Sequence, residues 1–76
     1  MENEKMTNRA NLTRYVLYTD NWLGKRGYLD KDGYVTEKLE EAMFISSREL
    51  VSYEYTKMDE PKLWHIKEVI INLRVV

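Results

Sequence analysis

His65 is the only imidazole in the chain, and the hydroxyls that could serve as nucleophiles beside it, Ser46, Ser47 and Ser52, lie in a separate segment. Nucleophilic catalysis needs a base within hydrogen-bond reach of the attacking oxygen, and Ser46 reads more simply as a helix cap. One imidazole without any cysteine forms neither a thiolate zinc site nor a multi-histidine cluster. Asp30, Asp32 and Gly33 look like part of a calcium loop. Placing Gly33 at loop position 6, however, puts Tyr28 and Leu39 at positions 1 and 12, where carboxylates are required. Gly24-Lys25-Arg26-Gly27 lacks the spacing and following helix of a phosphate-binding loop. Glu40 and Glu41 are adjacent, so their carboxylates point apart rather than forming an acid–base pair. The expectation is therefore a protein that is not an enzyme, with no catalytic residue, no metal site and no cofactor.

Binding is the chemistry that remains, and two groups of residues compete for it. The first is acidic: Asp30, Asp32, Glu37, Glu40, Glu41, Glu49 and Glu54, interleaved with Tyr34, Tyr53 and Tyr55. Carboxylates spread over a small sheet and helix repel nucleic acid and attract basic protein surfaces, and they can imitate a row of phosphates. The second is the segment around Trp22, Lys25 and Arg26, a stacking platform beside two cations that would suit nucleic acid, with Arg9 and Arg14 in support. Its competing reading folds Trp22 back over the sheet as a lid.

The charge distribution favours the acidic group. The net charge is only −1, yet residues 27–60 hold four basic against nine acidic residues, while the flanking blocks 1–26 and 61–76 are each net positive. A solvated face that keeps the domain soluble would show the same pattern. Length sets the scale of what can be built: 76 residues make one domain that buries roughly 60% of its unfolded surface. With no cysteine, no disulfide framework supplements the core. No apolar run approaches the roughly 18 residues of a membrane span, and Met1–Arg14 lacks the apolar region of a signal peptide. A soluble protein of the cytoplasm is expected, with no membrane partner.

The elements that must carry these groups can be read locally. Residues 1–13 lack periodicity and are expected to be a mobile polar arm, leaving 14–76 as a single domain. Tyr15–Thr19 is rich in aromatic and β-branched types and predicts a strand. A loop over Asp20–Gly27 and a return strand from Tyr28 follow. Asp30-Lys31-Asp32-Gly33 predicts a type I turn with Gly33 left-handed as a bulge, leading into a strand at Tyr34-Val35. Thr36 can cap a short helical turn, after which Leu39, Ala42, Met43 and Phe44 are apolar anchors. Ser46 to Glu49 fits a capping box and predicts a helix over 47–58, while the alternation Val51, Tyr53, Tyr55 offers a strand instead. Leu63–Val76, ending in a run of Val and Ile, predicts a long strand, with a bulge near Lys67 where the apolar parity changes. The expected fold is α+β: a small antiparallel sheet of about four strands, a meander plus the long last strand, packed with one helix.

Tyr15-Val16-Leu17, Gly27-Tyr28-Leu29, Tyr34-Val35-Thr36, Ala42-Met43-Phe44, a capped helix and Trp64-His65-Ile66 follow one another in an order that resembles short phage and prophage proteins of Gram-positive bacteria, over about residues 14–71. The chain departs from them at Leu50-Val51-Ser52-Tyr53, where such proteins are alanine-rich. The resemblance implies an accessory phage product in the bacterial cytoplasm that binds and inhibits a host or anti-phage defence protein, nucleases among them. It carries over no catalytic or binding residue. The alternatives are a nucleic-acid-binding module, which is the less expected partner class, and a homo-oligomeric assembly protein that pairs through an edge strand.

Overall fold

The computed structural model describes residues 9–74, arranged as β1 (Arg9–Trp22), β2 (Lys25–Leu29), β3 (Val35–Thr36), α1 (Arg48–Thr56) and β4 (His65–Arg74). The strands form one antiparallel sheet in the order β3-β2-β1-β4. Among the described residues one α-helix packs on it, so the α+β class expected from the residue pattern is the observed one.

Two segments are longer in strand than local propensity suggested. Arg9–Thr13, placed by their polar composition in the arm, belong to β1, because β4 runs alongside and pairs each of them in turn. The remainder of the arm, residues 1–8, lies outside the described residues. The Asp20–Gly27 loop is likewise not a loop. Asp20–Trp22 continue β1, and the reversal needs only Leu23 and Gly24, with φ 51° and 78°. Positive φ at both central residues is the tight hairpin turn whose twist matches the strands. Gly24 adopts it without cost, whereas Leu23 is a bulky residue in a left-handed conformation that disfavours a Cβ. The Asp30–Gly33 turn forms as its sequence demands. Gly33 has φ 87°, its N–H donates to the Asp30 carbonyl at 3.1 Å, and Asp30 Oδ1 accepts from the N–H groups of Asp32 and Tyr34, both at 2.9 Å.

The bulge expected near Lys67 is absent. β4 pairs with β1 without interruption from His65 opposite Tyr18 to Arg74 opposite Arg9. Trp64 precedes the strand as the end of a 3-10 turn over Pro61–Leu63, so it is not bound by the strand's alternation. Ile66 is, and it stands opposite Leu17.

Alternation along β1 separates two faces. Tyr15 and Leu17 point to the face covered by α1, where Leu17, Ile45 and Val51 are buried and are surrounded by Tyr15, Leu29, Met43, Tyr55, Met58 and Trp64. Val16, Tyr18, Tyr28 and His65 point the other way, to the face opposite α1, where no helix packs among the described residues. Ile45 is brought into the core by backbone pairing with Tyr15, at 2.8 and 2.9 Å.

That pairing also shifts the helix start. Ser47, not Ser46, is the N-cap, and its Oγ accepts the Leu50 N–H at 3.1 Å. Ile45 is held to β1, so the first residue placed to cap a turn is one further along than the Ser46–Glu49 pattern implies. The helix is accordingly Arg48–Thr56 rather than 47–58. Ser47→Ala is expected to cost about 1 kcal/mol, lowering Tm by roughly 4–8 °C for a domain of this size. Ser46→Ala should leave Tm nearly unchanged, and thermal unfolding followed by circular dichroism distinguishes the two.

Candidate functional site

Asp30 and Asp32 project from the turn between β2 and β3, and Glu40 and Glu41 from the 3-10 turn Leu39–Glu41 that follows β3. Thr36 does not cap the second turn, whose N-cap is Lys38 without a side-chain cap; it lies just before it, its Oγ1 accepting the Lys38 N–H at 3.1 Å and donating to Glu41 Oε1 at 2.9 Å. The chain then returns to the sheet, with Met43 N–H donating to the Leu29 carbonyl at 2.9 Å. This return brings the two acidic turns together around an open concavity of about 440 Å³, lined also by Lys31, Ala42 and Phe44. Ala42 is buried. Phe44 lies one residue from Ile45 and so, by alternation, on the opposite side of that segment from the core. The result is an apolar floor with a mostly anionic rim, and Tyr34, 72% exposed, ends the Asp30 turn.

The other expected acidic residues are placed elsewhere. Glu37 is bonded to Lys25 at 2.7 Å, and that bond holds its carboxyl below the usual glutamate value. Glu49 is in the first turn of α1, and Glu54 pairs with Lys57 at 3.2 Å on the same helix. Tyr53 is exposed on α1, with Lys57 Nζ 4.8 Å from its ring centroid. The acidic set is thus a compact group of four, Asp30, Asp32, Glu40 and Glu41, with Glu37 held apart by Lys25 and Glu49 and Glu54 separate on α1.

The cationic group is engaged within the chain. Arg26 Nε donates to Asp20 Oδ1 at 2.7 Å, which lowers the Asp20 carboxyl and raises the guanidinium. The same guanidinium lies 4.1 Å from the Tyr18 ring centroid. Lys25 is held by Glu37 and sits 5.8 Å from the Trp22 ring centroid. Trp22 itself is half-buried and lies over Gly27, where a Cβ would come within 3.0 Å of Trp22 Cβ. Both cations therefore already have a carboxylate partner, in pairs that stay exposed to solvent.

His65 stands beside Tyr18 on the face opposite α1, with ring centroids 5.2 Å apart, while Ser47 is occupied in capping α1. No group of three or more His, Asp or Glu side chains suited to a metal ion occurs among the described residues. No helix among them is long and apolar enough to cross a membrane. Reading the residues in order identified the four carboxylates but not that Phe44 and Ala42 form the floor between them. The only signal for that was the alternation Met43, Phe44, Ile45 in a segment that looked helical. No known protein family, curated protein or solved structure matches this chain.

Proposed function

We propose that this chain is a small non-enzymatic binding protein that captures a protein partner stoichiometrically through the concavity ringed by Asp30, Asp32, Glu40 and Glu41. The observation that supports this reading is the meeting of two acidic turns around the apolar floor of Ala42 and Phe44. A lysine or arginine side chain lays its methylene stem along such a floor and its charge against the rim. Exposed Tyr34 adds the rigid aromatic area on which interface hot spots are built. In this proposal the chain is an accessory phage product in the bacterial cytoplasm. Its partner is a host or anti-phage defence protein with a basic surface, a nuclease being the first class to test because its groove is already shaped for phosphates.

Glu49, Glu54 and Tyr53 on α1 form a separate acidic patch, secondary to the four residues at the concavity. The nucleic-acid reading through Trp22, Lys25 and Arg26 draws less support, since both cations already have carboxylate partners. The test is capture from host lysate by the immobilised chain, with mass spectrometry of what is retained. Reversing Asp32, Glu40 and Glu41 to Lys, all exposed, is expected to reduce retention of the specific partner by tenfold or more, roughly the 1.4 kcal/mol that a tenfold change requires. Circular dichroism should be unchanged. Retention equal to the parent chain would refute the acidic surface. Asp30 is left in place because its Oδ1 holds the turn.

A further inference from the structure

β4 is an edge strand, and the direction of its backbone groups follows from the pairing on the far side of β1. Tyr15 exchanges both of its backbone hydrogen bonds with Ile45, away from β4. The alternate residues of β1, Ala10, Leu12, Arg14 and Val16, therefore turn theirs towards β4, where they meet Leu73, Ile71, Val69 and Lys67. The residues between, Ile66, Glu68, Ile70, Asn72 and Arg74, direct N–H and C=O outwards. Among the described residues no strand receives them. A long edge of this kind is a template for a further strand.

The side chains on that edge are self-complementary in one register. Two copies related by a twofold axis perpendicular to the sheet pair antiparallel and keep the same face up, so residues of equal parity oppose one another. With Ile71 on the axis, the outward-pointing Glu68 stands opposite Arg74 of the other copy, and Ile70 opposite Asn72. On the opposite face Val69 meets Leu73, and Ile71 meets itself. Charge opposes charge twice by symmetry, and branched apolar residues oppose one another. Shifting the axis by one residue, to Ile70, keeps branched apolar residues opposed, Ile70 meeting itself and Val69 meeting Ile71, but breaks the charge pairing: Glu68 then faces Asn72, and Arg74 faces Ile66. Neither Glu68 nor Arg74 makes a salt bridge within the chain among the described residues, and both are exposed. Ile70 and Leu73 are 63% and 46% exposed, high for apolar strand residues that have no other cover.

We infer that a second copy of this chain completes the edge, making an antiparallel dimer across β4 with Ile71 at its twofold axis. The strand pair joins two four-stranded sheets into one continuous sheet. The acidic turns lie at the far edge, after β2 and β3, so the dimer presents two copies of the concavity. The inference stands on the strand edge alone and does not depend on the acidic-surface reading. One strand pair buries less than the roughly 1,200 Å² of a standard interface, so association is concentration-dependent.

The test is sedimentation equilibrium of the full chain over a concentration series. The mass should rise from monomer to dimer. Glu68→Arg and Arg74→Glu should each move the midpoint to roughly tenfold higher concentration or beyond, since each places like charges opposite one another twice. The double variant Glu68→Arg/Arg74→Glu should bring the midpoint back. Ile71→Cys should give a disulfide-linked dimer on oxidation, because residues opposite one another in a non-hydrogen-bonded pair have Cα atoms about 4.5 Å apart, within disulfide range. A chain that stays monomeric at every concentration overturns the dimer, as does one whose edge is filled instead by a strand of another protein. A dimer indifferent to the single reversals, or not restored by the double, overturns the register.

Discussion

Leu17→Ala should lower the stability of this domain by about 2–5 kcal/mol, the range for removing a buried leucine from a packed core. Leu17 is 1% exposed and is central to the cluster in which β1, α1 and the Ile45 segment meet. Its side chain fills the space between Val51 on the helix, Ile45 on the returning segment and Leu29 on β2, so three elements lose contacts when it is shortened. A chain of this length holds a total of about 4–11 kcal/mol, so the substitution removes a large share of what keeps it folded. In thermal terms the drop is roughly 10–30 °C, measured by calorimetry or circular dichroism. Leu50→Ala is the matched control. Leu50 is on α1 next to Val51 but 52% exposed, and its truncation should fall within about 0.5 kcal/mol of the parent chain. Equal effects from the two would contradict the placement of the core.

The second large effect is expected at Gly27, for a reason different from the usual one for glycine. Gly24 and Gly33 have positive φ and open space where a Cβ would go, so their role is conformational. Gly27 is buried in the middle of β2, and a Cβ there would collide with Val35 Cγ1 and come within 3.0 Å of Trp22 Cβ and 3.1 Å of Trp22 Cδ2. Gly27→Ala should cost about 1–3 kcal/mol through overpacking, seen as a lower urea midpoint with an unchanged slope. Val35→Ala opens the same space, so the double variant should be more stable than the sum of the single effects allows, with a coupling of at least about 0.5 kcal/mol. Strict additivity would mean that the close approach of β3 and Trp22 to Gly27 is not what excludes a side chain.

Gly27 also illustrates why much of the site escaped a reading of the residues in order. Next to Arg26 it suggested only a flexible loop, whereas its function is to let Trp22 and Val35 come together over β2, a meeting of three segments that no local pattern announces. The same holds for Lys25 and Arg26. As sequence neighbours of Trp22 they suggested a cationic platform, but Asp20 comes opposite Arg26 only because β1 continues past Thr19, and Glu37 comes to Lys25 only because β3 folds back along β2.

What could be read directly was whatever is decided within a few residues. The Asp30–Gly33 turn depends on one left-handed glycine and one aspartate oxygen, the helix on serine capping and 3.6-residue spacing, and the strands on aromatic and β-branched types. Hence the α+β class and the turn were legible, and the cap was wrong by a single residue. Folding in three dimensions decided the rest: that β4 lies along the whole of β1 and draws Arg9–Thr13 into the sheet, that Ile45 joins β1 and turns Phe44 to the other face, and that two acidic turns close on one concavity. These depend on pairing between segments distant in the chain. The free energy of such pairing comes from burying Leu17, Ile45 and Val51 together, a gain that appears only when all three have been brought into contact.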